Sequence, residues 1–309
     1  MKRINKIFCK RLVLILIFIL LTALLMGFSK PKEIKYTNNV EKIYSKTVEI
    51  DTSKFYYNQL NDIEKEIYNA FSSSKNHFIN NENFICISGK VSKYDEYIKF
   101  INRAFYAYMY DNPITHIYLT TAYVQAVYSQ NYGKEYYDYV IMPNIITNCY
   151  ANISSDKSIT TMLETLEKTT REFVNKLSGS DYEKLVQIHN WLIENASYDK
   201  TLSLPNTHNA YGAIIQKKCV CDGYAYAFKY VADMANLDTI FVTGYVISSD
   251  EKTEFHAWNY AYINEEWFLV DVTWDLGLKK NIYLLINPQN EEYLNSSHKC
   301  ETKKFVYPY

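Results

Sequence analysis

A helix that starts at a cysteine and is followed by a β-hairpin constrains the fold of this chain most. After Cys221, apolar residues recur at helical spacing: Ala225, Phe228, Val231, Ala232 and Ala235. A strand is then predicted over residues 256–263, with a tight turn at residues 264–265 and a return strand over residues 266–273. A helix packed on an antiparallel sheet is typical of an α+β domain.

The position of Cys221 at the start of the helix points to chemistry. The first backbone N–H groups of a helix lack partners, and the helix dipole favours negative charge there. A thiol in this place is therefore favoured as a thiolate nucleophile. A lone cysteine is most often a core residue, so the interpretation depends on suitable partners. Gly223 leaves room beside Cys221 for backbone or substrate to approach.

His256 and Asp271 are the candidate partners. With a two-residue turn, His256 faces Thr273, and Asp271 then points to the same face as His256 because side chains alternate along a strand. Cβ atoms of such a diagonal pair lie about 7 Å apart, within reach of an imidazole–carboxylate contact. A turn one residue longer or shorter would place them on opposite faces. We predict a catalytic site in which Cys221 is the nucleophile, His256 the base and Asp271 the residue that orients the imidazole.

Three segments around these residues resemble the signature blocks of the transglutaminase-like superfamily: Cys-Asp-Gly-Tyr-Ala-Tyr-Ala-Phe, Phe-His-Ala-Trp-Asn and Val-Asp-Val-Thr-Trp-Asp. The resemblance covers roughly residues 180–276 and is absent from the C-terminal residues that follow. It implies a papain-like α+β core with catalytic residues in the chain order Cys221, His256 and Asp271. It also implies that Trp258 and Trp274 pack around the site.

Two positions depart from the family pattern. Cys219 stands where the family commonly has a small residue such as glycine, which places a second thiol two residues from the predicted nucleophile. Val272 replaces a proline that often follows the aspartate. A disulfide between Cys219 and Cys221 would close a very small, strained ring, so we expect two separate thiols.

The N-terminal residues read as an export signal. An uncharged apolar run over residues 12–28 follows five basic residues, Lys2, Arg3, Lys6, Lys10 and Arg11. As a helix this run spans about 26 Å, slightly short of a full hydrocarbon core. The basic flank orients everything after it away from the cytoplasm. We expect a membrane anchor, or a signal peptide cleaved near Gly27 or Ser29, and an extracytoplasmic location.

Three parts of the chain are predicted: residues 1–35 as the signal or anchor, residues 36–178 as a smaller α+β region of unknown role, and residues 179–309 as the catalytic domain. Residues 36–178 begin with a polar tether and contain helical patterns at 60–71 and 95–110. Strand patterns follow at 117–121, 123–128 and 136–141. Near residue 180, the segment Ser180-Asp181-Tyr182-Glu183 predicts a capping box that opens a helix.

Composition narrows the classes of partner. With 33 basic and 34 acidic residues, the formal net charge is -1, which gives no basis for nucleic-acid binding. Of six cysteines, Cys9 lies in the export segment, so an odd number remains and at least one thiol is free or paired between chains. The disulfide state of Cys86, Cys149, Cys219 and Cys300 stays open.

The functional expectation is an exported cysteine peptidase or amidase that forms a thioester with a protein or peptide substrate at the cell surface. The same triad serves a transglutaminase that passes the acyl group to an amine, and the fold also occurs in binding modules without catalysis. No cofactor or metal is expected. A zinc site formed by Cys219, Cys221, His298 and Cys300 is a weaker alternative, because the ligand spacing is poor and leaves His256 and Asp271 unexplained.

Overall fold

The computed structural model describes residues 51–79, 84–90, 94–119, 122–128, 136–143, 159–202, 204–247, 253–287 and 298–308. The predicted export segment and Cys149 lie outside these residues. Among the helices of the described part of the chain, none combines the length and the apolar character needed to cross a membrane. Residues Glu49–Tyr309 form one compact unit. The division between residues 178 and 179 stays a prediction.

The described helices and strands alternate irregularly along the chain. The α-helices are α1 (Asp62–Ser73), α2 (Lys75–Ile79), α3 (Tyr94–Asp111), α4 (Ile159–Val174), α5 (Asp181–Asn195), α6 (Cys221–Met234) and α7 (Val272–Leu278). The strands are β1 (Phe84–Lys90), β2 (Ala122–Tyr128), β3 (Tyr136–Pro143), β4 (Ser197–Tyr198), β5 (Lys218–Cys219), β6 (Thr239–Ile247), β7 (Thr253–Ile263), β8 (Glu266–Val270), β9 (Leu284–Ile286) and β10 (His298–Cys300). Short 3-10 turns occur at Thr52–Lys54, Tyr57–Gln59 and Thr115–Ile117, and a π-helical turn at Gly212–Gln216.

The N-terminal part of the unit contains α1 to α3 and an antiparallel sheet in the order β1-β3-β2. Its first helix is set by a capping box, in which Asn61 accepts from the Glu64 amide and Glu64 accepts from the Asn61 amide. The strand pattern predicted at 117–121 is wrong at its start, because residues Thr115–Ile117 form a 3-10 turn after the Pro113 breaker.

The C-terminal part contains an antiparallel sheet in the order β10-β6-β7-β8-β9. The predicted hairpin is present, with Ile263 opposite Glu266. Asn264 and Glu265 both have positive φ angles, 51° and 67°, as a two-residue type I′ turn requires. The α+β prediction is confirmed.

The predicted return strand over residues 266–273 is too long. The strand β8 ends at Val270, and Asp271 is the N-cap residue of α7, where its side chain accepts from the Trp274 amide. An aspartate at this position satisfies an unpaired amide of the first helical turn, so capping ends the strand before residue 273.

The helix that starts at Cys221 packs on β6 and β7, and the Asn259 side chain ties it to both strands. The Asn259 amide of β7 donates to the carbonyl of Ala225 in α6 at 3.1 Å and to that of Ile240 in β6 at 3.2 Å. Asn259 is buried, so each of these bonds satisfies a carbonyl that has no access to water. These bonds hold the helix that carries Cys221 in a fixed position relative to the strand that carries His256.

The N-terminal segment shares its core with this sheet. Tyr56 is fully buried; its hydroxyl donates to the Phe241 carbonyl of β6, and its ring contacts those of Tyr110, Phe305 and Tyr307. Residues before α1, in α3 and at the C-terminus therefore pack together against one face of the five-stranded sheet.

Candidate active site

Cys221 is the first residue of α6, as the sequence predicts, and its side chain is partly exposed. The chain before it is held by backbone hydrogen bonds: the Asp199 amide donates to the Cys219 carbonyl at 2.8 Å, and the Val220 amide donates to the Thr207 carbonyl at 2.9 Å. A partly exposed thiol at a rigid helix start can meet a substrate carbonyl while its own position stays fixed.

The neighbouring thiol of Cys219 is in a different environment. It is completely buried, and burial raises its pKa, so it stays protonated at neutral pH. Gly223 explains how it fits: a Cβ at this position would lie 2.6 Å from the Cys219 Cβ and 2.6 Å from the Thr207 carbonyl oxygen. Both thiols are free. Accessibility therefore favours Cys221 over Cys219 as the reactive thiol.

His256 lies within β7, three residues after the strand begins, and its ring is buried. Its Nε2 is 2.7 Å from Asp271 Oδ2, which leaves Nδ1 for Cys221. Burial lowers the pKa of His256, but the charge and hydrogen bond of Asp271, with a hydrogen bond to Cys221, outweigh burial and raise it to about 10. An imidazolium that persists at neutral pH is the partner a thiolate requires.

Asp271 is fixed on all sides. Its Oδ1 accepts from the Trp274 amide at 3.0 Å, its Oδ2 accepts from His256, and its own amide donates to the Tyr283 carbonyl at 2.8 Å. Burial opposes its ionisation, yet the His256 contact holds the pKa of this carboxyl well below its usual range. The structure therefore places two of the three predicted side chains, His256 and Asp271, in direct contact.

A fourth side chain enters the cluster from a part of the sequence without family resemblance. His298 in β10 places its Nε2 2.9 Å from Asp271 Oδ2, the same oxygen that contacts His256. The sequence alone indicates His298 only as a possible zinc ligand beside Cys300. No local pattern pairs it with Asp271, because the contact depends on β10 lying next to β6.

Two tryptophans enclose the histidine, as the family resemblance implies. The centroid of the Trp258 ring lies 6.0 Å from that of His256, and the Trp274 ring centroid lies at 6.2 Å. Trp258 is almost fully buried. These rings keep water away from the His256–Asp271 pair, which strengthens the electrostatic interaction between them.

The described groups that could hold a metal ion do not match the predicted zinc alternative. One cluster, His256, Asp271 and His298, has its ligand atoms within 4.8 Å of one another. The two nitrogen–oxygen distances of 2.7 and 2.9 Å in it are hydrogen-bond lengths. Ligand atoms around a tetrahedral zinc ion would be roughly 3.3 Å apart. The cluster therefore fits shared protons better than a metal ion.

The segment after β4 forms a wall beside the cysteine. Asp199 is buried and organises it by accepting from the Thr201 hydroxyl at 2.8 Å, the Thr207 hydroxyl at 3.0 Å and the Leu204 amide at 3.4 Å. Tyr198 is near Cys221, and partial burial raises the pKa of the tyrosine to about 12.

A mostly apolar cleft of about 490 Å³ lies between this wall and α7. It is lined by Ala196, Ser197, Tyr198, Lys200, Thr273, Leu276 and Gly277. The elements on its two sides lead to the candidate site residues, because β4 pairs with β5 two residues before Cys221 and Asp271 caps α7. A substrate chain could enter along this cleft.

A comparison with known protein families finds a match for the central part of the unit Glu49–Tyr309. Residues 168–272 match the model of the transglutaminase-like superfamily. The match includes the helix of Cys221 and the strand of His256, and it ends one residue after Asp271. His298 lies outside it.

The curated relatives are similar over the same region. The kyphoscoliosis peptidase of Mus musculus is 31% identical over 127 residues, 37% of this chain and 19% of that protein. The human kyphoscoliosis peptidase is 31% identical over 113 residues, 33% of this chain and 17% of that protein. The similarity thus spans less than a fifth of the length of these relatives.

Solved structures give lower similarity. A candidate cysteine protease of Cytophaga hutchinsonii has a TM-score of 0.31 at 17% identity, covering 54% of this chain and 66% of that one. A TGase crystal structure has a TM-score of 0.32 at 13% identity, covering 50% and 44%. Residues 168–272, about a third of this chain, are thus similar to the transglutaminase-like superfamily.

Proposed function

We propose that this protein is a cysteine peptidase or amidase that works through a thioester on Cys221. The observation that carries the proposal is the buried His256–Asp271 pair in contact with a partly exposed cysteine at a helix start. The base is then held by its orienting carboxylate and lies next to the nucleophile, the arrangement required for covalent catalysis by a thiol.

The reaction follows from these positions. The Cys221 sulfur attacks the carbonyl carbon of a peptide or amide, and His256 gives its proton to the leaving nitrogen as the C–N bond breaks. Water then attacks the thioester, neutral His256 takes a proton from that water, and the C–S bond breaks to restore the thiolate and the imidazolium. Asp271 keeps the ring oriented through both steps. The backbone N–H of Cys221 is one donor for the developing oxyanion.

The substrate we propose is an extended protein or peptide segment at the cell surface. The cleft beside Tyr198 and α7 is open and mostly apolar. It suits a chain with apolar side chains. The basic and apolar N-terminal pattern, which lies outside the described residues, supports an extracytoplasmic location and a membrane anchor or cleaved signal over residues 1–35.

Release by water is the proposed outcome, and release by an amine is the alternative for the same thioester. The test is to incubate the full-length protein with a mixture of peptides, with and without hydroxylamine, and to analyse the products by mass spectrometry. We expect cleaved peptides without the amine and peptide hydroxamates with it, because both arise from one acyl-enzyme.

The variants separate the two thiols in this test. Cys221→Ala should abolish both products, and Cys219→Ser should retain them, because Cys219 is buried and has no access to substrate. Products formed only in the presence of amines would favour acyl transfer over hydrolysis. A wild-type protein without either product would contradict the proposal and favour a binding module.

A further inference from the structure

We infer that His298 is a positioning residue of the active centre, and that the C-terminal strand β10 is a functional part of the site. This inference rests on the proposed function, since it concerns how Asp271 is held for His256. Its starting point is geometric: two imidazole nitrogens, from His256 and His298, contact the same carboxylate oxygen at 2.7 and 2.9 Å.

The contact with Asp271 determines which nitrogen of the His298 ring carries a proton. Because Asp271 is held as a carboxylate and only accepts hydrogen bonds, His298 must carry a proton on Nε2 and donate it. With the Trp274 amide on Oδ1 and the two histidines on Oδ2, the carboxylate has donors on both oxygens. It therefore cannot rotate away from His256 without losing at least one hydrogen bond.

The surroundings of His298 hold it in place. Its side chain is fully buried, and its ring centroid lies 4.6 Å from that of Trp274, 5.1 Å from Trp258 and 5.2 Å from Tyr283. Trp258 and Trp274 also contact His256. The same aromatic walls thus enclose both imidazoles and the carboxylate between them, and little space is left for competing water.

The C-terminal segment is anchored within the strand that carries His298 and after it. The residue itself pairs with Val246 of β6, and the Glu301 amide donates to the Thr243 carbonyl at 2.9 Å. Further along, Val306 exchanges two hydrogen bonds with the Gln59 side chain, at 2.8 and 3.0 Å. This degree of fixation is expected for an element that must place a ring within hydrogen-bonding distance of a catalytic carboxylate.

Gly244 shows that the close approach of β10 is built into the sheet. A Cβ on Gly244 would lie 2.1 Å from the Lys299 carbonyl oxygen, 2.6 Å from the Trp258 ring and 2.9 Å from the Cys300 Cα. Only glycine lets β10 and the indole approach β6 this closely. The glycine at position 244 therefore leaves space for β10 next to the proposed active site.

The test uses iodoacetamide as the probe and the alkylation rate of Cys221 at pH 6 as the readout, measured on the full-length chain. In His298→Leu the donor is lost, and we expect this rate to fall about tenfold, the loss typical of a hydrogen bond to a charged group. His298→Gln keeps an N–H at the position of Nε2, and we expect a rate within about threefold of the wild type. Lys299→Gln, on the exposed side of the same strand, is the matched control and should leave the rate unchanged.

A second readout follows the proton directly. In protein labelled with 15N-histidine, the wild-type spectrum should show His298 protonated on Nε2, and His298→Leu should shift the His256 ring signals. Two results would overturn the inference: a wild-type rate in folded His298→Leu, or a loss of rate that His298→Gln does not restore. A slow wild-type rate at pH 6 would instead contradict the proposed function itself, so the two failures are distinguishable.

Discussion

At the residue scale, the proposed chemistry depends on how burial and neighbouring charge set the pKa values of Cys219 and His256. Burial keeps the Cys219 thiol protonated, whereas Asp271 reverses the effect of burial on His256 and raises the pKa of that imidazole to about 10. Both groups are close to Cys221, which is more exposed than either. The site therefore combines one accessible thiol with an imidazolium that remains charged at neutral pH.

The first prediction concerns Asp271→Asn. The folded pKa of His256 is raised above its unfolded value near 6.5, so the pair contributes fully to stability below about pH 6.5 and loses this contribution as the pH rises through about 10. Because the pKa of Asp271 is depressed, this carboxylate contributes to folding stability above about pH 4. We expect Asp271→Asn to lower the melting temperature more at pH 6 than at pH 10.5. Asp181→Asn, in an exposed surface pair, should cause a small change at both pH values, and an equal loss for Asp271→Asn at both would contradict the account.

At the element scale, α6 and β7 must keep a fixed register for Cys221 to meet His256. Asn259 fixes it through two hydrogen bonds to buried carbonyls, one in α6 and one in β6. The capping box at Ser180 and the Asp271 cap set the starts of the helices on either side. Hydrogen bonds at element ends thus determine where the side chains of the site meet.

The second prediction is that Asn259→Asp destabilises the protein by about 1–3 kcal/mol, because an amide donor is replaced by a group that repels both carbonyls. Denaturant unfolding measures this loss, and the Cys221 alkylation rate should fall with it as the register loosens. Asn281→Asp is the control, since its side chain bonds the Asn190 side chain at an exposed site. Full stability of Asn259→Asp would show that other contacts fix the register.

The sequence predicted some of these elements and missed others for physical reasons. Local patterns were sufficient for the helix of Cys221, the turn before Glu266 and the capping box at Ser180. Asp271 was predicted in a strand because alternation continues to Thr273, but its capping bond to Trp274 starts a helix instead. His298 could not be paired with Asp271 from the sequence, since long-range strand pairing leaves no local signal.

At the scale of the whole molecule, the N-terminal and C-terminal segments pack into the core behind the site. Arg103 of α3 links these segments. It donates to Glu64 at 2.5 Å, to the Gln59 carbonyl at 2.8 Å and to the Lys304 carbonyl at 2.8 Å. The rings around Tyr56 continue this core to β6. Residues far from the active centre in sequence should therefore affect the stability of the sheet that carries it.

The third prediction is that Tyr56→Ala destabilises the unit by roughly 3–5 kcal/mol, the usual cost of deleting a fully buried aromatic ring. Calorimetry should show one transition moved to lower temperature, because the ring packs on residues of both parts. Tyr182→Ala is the control, since that side chain is exposed. Two separate transitions, of which Tyr56→Ala shifts only one, would indicate that the N-terminal and C-terminal parts of the unit unfold independently.

The central claim, that His256 activates Cys221, is tested most directly by the rate of Cys221 alkylation as a function of pH, with peptide mapping to distinguish the thiols. We predict rapid labelling that persists at about pH 6, well below the free-thiol pKa of about 8.5. The rate should fall strongly in His256→Ala and stay unchanged in Cys219→Ser. Labelling of the wild type that rises only near pH 8.5 and does not respond to His256→Ala would contradict the account.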